Sequence, residues 1–134
     1  MNKWETIYTT GTAVMGAMVG YLFGGWSALL QVLLAFVVID YLTGLLASSV
    51  EGKLSSKVGF KGIAKKVMIF FLVAAGHLAD KAIGQGHIVA DTVIFFYLGN
   101  ELLSILENAG RTGLPVPDQI KNAVDVLKNK GVDK

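Results

Sequence analysis

The chain has 134 residues, 53% of them hydrophobic and only 16% charged, which is more apolar than an ordinary soluble domain. It contains no cysteine, so disulfides, thiolate nucleophiles and cysteine-based metal sites are excluded. A formal net charge of +2 is too small for a nucleic-acid-binding surface, and the lysines fall between apolar runs, where they act as topology signals.

The first apolar run, residues 7–24, is uncharged and, as a helix, long enough to cross a hydrocarbon core of about 30 Å. With Lys3 before it, the run also has the outline of a signal peptide. No small-x-small cleavage site follows clearly, so an uncleaved helix is expected. Thr12, Gly16, Gly20 and Gly24 fall four apart and form one small-residue face suited to close helix packing, within one chain or between chains.

The second run, residues 26–50, is the strongest span, with Asp40 as its single charge. Asp40, Thr43, Gly44 and Ala47 share one helical face. A charged Asp at this depth costs at least about 2.5–3.5 kcal/mol, so it must face protein or water, or be protonated. Two readings stand: a pore-facing or switchable carboxylate, and a carboxyl that glues neighbouring helices. Residues 51–66 then carry Lys53, Lys57, Lys61, Lys65 and Lys66 among Gly52, Gly59 and Gly62, which predicts a basic cytoplasmic loop near lipid headgroups.

The third run, residues 67–84, is purely apolar only to Gly76; His77, Asp80 and Lys81 follow before a Gly84-Gln85-Gly86 turn. Together with Asp91 they predict a polar cluster at the outer interface, holding either a local ion pair or a Lys81 that snorkels to the headgroups. His77 and the distant His87 do not make a metal site. The fourth run, residues 88–107, places Tyr97, Asn100, Glu101 and Ser104, with Asn108 beyond, on one stripe. Pro115 and Pro117 end the membrane pattern. From Asp118, a fair cap, Ile120, Ala123, Val124 and Leu127 recur at helical spacing and predict a short amphipathic helix.

The expected fold is therefore all-α: an integral membrane protein with four transmembrane helices in two hairpins, residues 1–113, and a cytoplasmic amphipathic tail, residues 114–134. Four spans with a cytoplasmic N-terminus put Lys3, the five loop lysines, Arg111, Lys121, Lys128, Lys130 and Lys134 inside and only Lys81 outside, as the positive-inside rule requires. Polar stripes on each helix exceed what one small bundle buries, so copies are expected to assemble around water.

Several blocks in order resemble the toxin-secretion and phage-lysis holin family, the bacteriophage holin family. They are Asp40-Tyr41-Leu42-Thr43-Gly44, Lys53-Leu54-Ser55-Ser56, Gly59-Phe60-Lys61-Gly62-Ile63-Ala64-Lys65-Lys66, Asn100-Glu101-Leu102-Leu103-Ser104-Ile105-Leu106-Glu107-Asn108-Ala109-Gly110 and Gly113-Leu114-Pro115-Val116-Pro117. The resemblance implies a homo-oligomer in the bacterial cytoplasmic membrane that permeabilises it and lets an endolysin or a toxin escape, with an antiholin as a further partner. It implies no catalytic residue, cofactor or metal, and the sequence offers no nucleophile with a base, phosphate loop or ligand cluster. The competing classes are a small oligomeric ion channel or transporter, since intramembrane acids also mark ion pathways, and an antiholin-like regulator that opens nothing.

Overall fold

The computed structural model describes residues 1–84 and 86–132 and consists of five helices: α1 Lys3–Phe23, α2 Ala28–Val50, α3 Ser56–Ile83, α4 Ile88–Arg111 and α5 Asp118–Val132. Local side chains set most of the helix starts. Asn2 and Glu5 close a reciprocal capping box on α1, with Oδ1 of Asn2 accepting from the Glu5 amide at 2.8 Å. Ser27 and Ser55 cap α2 and α3 by accepting from the amides of Leu30 and Val58. Gly24 ends α1 in the left-handed region at φ 75°, and a Cβ there would also lie 2.6 Å from Cε1 of His77, so the position needs glycine twice over.

The core is one cluster built from α2, α3 and α4: Leu30, Leu33 and Val37 meet Ile69, Val73, Ile94 and Leu98. α4 is the hub, packing against α2, α3 and α5, whereas among the described residues α1 packs only against α3. α2 and α4 are long and apolar enough to cross a membrane, and most of each faces outward rather than into the core. On α2, Val38, Leu42, Leu46 and Val50 form an exposed apolar row four residues apart. Phe60, Val67 and Phe71 extend the same character over α3. Water is a poor solvent for such a surface and hydrocarbon a good one.

Three expectations change. The basic stretch 51–66 is a loop only to Ser55; α3 begins at Ser56 and carries four of the five lysines on helix. Gly59 and Gly62 are not loop punctuation but a shallow seat for Tyr41 of α2, whose hydroxyl donates to the Gly59 carbonyl at 3.3 Å. Asp118 is the first residue of α5 rather than its cap, although a carboxylate in the first turn still favours the helix dipole. α5 folds back against α4. Gln85 of the expected turn, Lys134, and the side chains of Val124, Leu127, Lys128 and Lys130 lie outside the described residues.

α3 and α4 approach most closely at Gly76, where an added Cβ would lie 3.1 Å from Cα of Ala90. Gly76→Ala should therefore destabilise the bundle by about 1–3 kcal/mol, because backbone must move. Gly11→Ala, in open space on α1, should be neutral or slightly stabilising. Thermal unfolding in detergent, followed by circular dichroism, compares the two; equal midpoints would refute the close contact.

Candidate functional site

The feature that composition alone makes expensive is the set of charges inside these helices, and the structure gathers them. Asp40 sits on the inner face of α2 and Glu101 on the inner face of α4. Lys66 reaches between them from α3. Its ammonium lies 2.6 Å from Oδ2 of Asp40 and 3.1 Å from Oε2 of Glu101. Asp40 and Glu101 are each only 5% exposed, so one ammonium is shared by two buried carboxylates. At this burial an unpaired carboxylate would cost far more than a paired one, and the shared lysine makes the arrangement tolerable.

Asp40 is held by α4 as well. Nδ2 of Asn108 donates to Oδ1 of Asp40 at 2.9 Å, to the Asp40 carbonyl at 3.1 Å and to Oγ1 of Thr43 at 3.0 Å. The Thr43 hydroxyl in turn donates to the Ile39 carbonyl, as threonines in apolar helices do. Oδ1 of Asn108 accepts from Arg111, whose guanidinium also reaches Ser48 and pairs with Glu51 at 2.7 Å. That guanidinium holds the Glu51 carboxyl below the usual carboxylate range. The network thus runs from mid-bundle to the end of the molecule where α2 and α4 finish, fastening α2, α3 and α4 to one another.

A second polar contact closes the opposite end. α4 begins at Ile88 without a side-chain cap of its own. Asp80 of α3 supplies it: its two oxygens accept from the amides of Val89 and Ala90 at 2.8 and 2.9 Å. A carboxylate here satisfies two orphan donors and meets the positive end of the helix dipole. Lys81 does not pair with Asp80 or Asp91; its ammonium lies 4.8 Å from the Tyr21 ring centre of α1. His77 is buried against Gly24, with no partner for Nδ1 among the described residues.

The sequence-derived residues therefore divide. Asp40, Thr43 and Glu101 come together; Gly44 lies beside Asn108, while Tyr97, Asn100 and Ser104 line the crevice next to the cluster. Of the small-residue face, Gly16 and Gly20 look onto open space, Thr12 bonds back to the Tyr8 carbonyl, and only Gly24 packs within the chain. Lys53, Lys57, Lys61 and Lys65 are exposed, and Lys66 turns inward. Sequence reasoning missed the pairing of Lys66 with both acids, and the Arg111–Glu51 bridge. One signal was available: Lys57, Lys61 and Lys65 are spaced four apart on one stripe, and Lys66 stands about 100° off it.

With this geometry in view, the relatives become informative. The family model of the bacteriophage holin family matches residues 17–129. An uncharacterised protein of Listeria innocua is 50% identical over 97% of this chain and 93% of its own length. One from Listeria monocytogenes is 51% identical over 94% and 90%. A 14.9 kDa protein of Clostridium perfringens is 36% identical over 90% and 92%. No solved structure matches. Proteins of this family are typically non-enzymatic and act at membranes, in keeping with two helices apolar enough to span one. The chain belongs to the bacteriophage holin family.

Proposed function

We propose that the protein is a phage-type holin that accumulates in the bacterial cytoplasmic membrane, oligomerises there and permeabilises it, so that an endolysin or toxin leaves the cell. Family membership supports this, and the observation that carries it is the combination of an outward apolar surface with a charged cluster buried between the helices. In this reading α1 to α4 span the membrane with both termini cytoplasmic. Glu51 and Arg111 lie at the cytoplasmic end, and Lys81 at the outer end with the Asp80 cap. The open Gly16 and Gly20 face of α1 serves contact between copies.

In the single chain Asp40 and Glu101 are bundle glue. They become lumen-facing only when assembly pulls α3 from between α2 and α4 and lets water replace Lys66. The test is induced expression in a bacterium with and without a cytoplasmic endolysin, following membrane potential and turbidity. Expected are loss of potential in both and lysis with the endolysin. Continued growth in both sinks the proposal; an ion-selective current without release of folded enzyme points to a channel, and an intact potential to a regulator.

A further inference from the structure

A crevice runs along one side of the α3–α4 seam. At the end where α2 and α4 finish it is a polar pocket of about 330 Å³ lined by Lys61, Lys65, Ser48 and Arg111. It continues through a space of about 610 Å³, with which it shares Asp40, Lys65, Lys66 and Ser104 and where Met68, Ile69 and Leu72 take over the wall. That space shares Leu72 and Tyr97 with a third, of about 480 Å³, lined by Ala75, Ala79, Val93 and Phe96. No described residue of α1 or α5 lines any of the three.

The chemistry is graded along this path. At its mouth Lys61 and Lys65, with Lys57 one turn further out on the same stripe, take part in no ion pair among the described residues. Arg111 there is paired with Glu51, and Lys66 balances one of the two acids, so Lys57, Lys61 and Lys65 outweigh the remaining carboxylate and leave the mouth positive. Toward the other end the walls turn aliphatic and aromatic. The length fits as well. Ala75 lies ten residues beyond Lys65, about 15 Å along the helix, which is half of a hydrocarbon core of about 30 Å.

We propose that this crevice binds an anionic glycerophospholipid of the inner leaflet, its phosphate between Lys61 and Lys65 and one acyl chain along the α3–α4 seam past Leu72 to Ala75. A second copy of the chain would bring its own lysines to the same rim and add to the repulsion; a lipid phosphate removes it. The bound chain also fills the seam that assembly must open, so anionic lipid is expected to favour the closed bundle.

The inference rests on the membrane reading above, and its test uses detergent-extracted full-length protein with no permeabilisation readout, so the two fail separately. Native mass spectrometry scores retention of phosphatidylglycerol and cardiolipin against phosphatidylcholine. The expected result is selective retention of the anionic lipids. Lys61→Gln with Lys65→Gln should weaken it by about 30-fold, roughly fivefold per lysine. Lys3→Gln with Lys53→Gln, which removes equal charge away from the crevice, should leave it unchanged. Ala75→Trp, which fills the apolar end while sparing every lysine, should weaken it too, with helix content unchanged by circular dichroism. Four results would overturn the site: equal retention of phosphatidylcholine, an equal loss in the control pair, no effect of Ala75→Trp, or displacement of lipid by equimolar inorganic phosphate. Disulfide cross-linking between copies of an Ala75→Cys chain in native membranes would give the seam to a second protomer instead.

Discussion

Lys66→Met should destabilise the bundle by about 3–5 kcal/mol, the usual cost of removing one partner from a buried ion pair. Methionine keeps the length and apolar stem of lysine, so packing between α2 and α4 changes little and the effect reports on charge. Asp40 and Glu101 would then face each other between the helices with no cation between them, although both now lie within 3.1 Å of the ammonium. Denaturant unfolding in a mild detergent micelle measures the loss. The diagnostic is rescue: Lys66→Met combined with Asp40→Asn and Glu101→Gln should recover most of the stability, because a neutral hydrogen-bonding set replaces a charged one. A triple variant no more stable than the single one would show that Lys66 matters for its packing.

The second large effect is expected at Asp80, which is 1% exposed and accepts two backbone hydrogen bonds. Asp80→Ala leaves the amides of Val89 and Ala90 without an acceptor and removes a favourable charge from the helix N-terminus. Loss of a cap costs about 1 kcal/mol and a buried unsatisfied donor about 1–3 kcal/mol, so a total of roughly 2–4 kcal/mol is expected. Asp80→Asn keeps one acceptor and should cost about half. Hydrogen exchange localises the effect: amides 89 and 90 should lose protection first, with the first turn of α4 fraying. Unchanged protection at both positions in the alanine variant would remove Asp80 as the cap.

The parts of the fold that follow from local chemistry were legible in the sequence. Asp40 and Glu101 interrupt apolar runs, so a cost had to be met somewhere. What could not be read was who meets the cost, because Lys66 sits amid lysines and glycines that look like a loop when taken one after another. Only when α3 is wound from Ser56 does Lys66 leave the exposed stripe and turn toward α2 and α4. Asp80 misled for a related reason. Its neighbours along the chain, Lys81 and Asp91, suggested an ion pair, while its partners are backbone amides that carry no trace in side-chain chemistry. Two-body contacts between distant elements are what periodicity leaves out.

α1 has a different standing from the other helices. None of its residues is buried, and it meets the rest of the chain through its last turns, where Phe23 packs edge-on against Phe70 and Tyr21 lies under Lys81. Its helical state thus draws little on tertiary burial; it is set by backbone hydrogen bonds and by the medium around it. Substitutions along its first four turns should register as changes in partition into that medium, with the folding equilibrium of α2 to α4 left almost untouched. In a mutational scan, then, about the first eighth of this chain measures its surroundings, and the bundle beyond α1 measures its own packing.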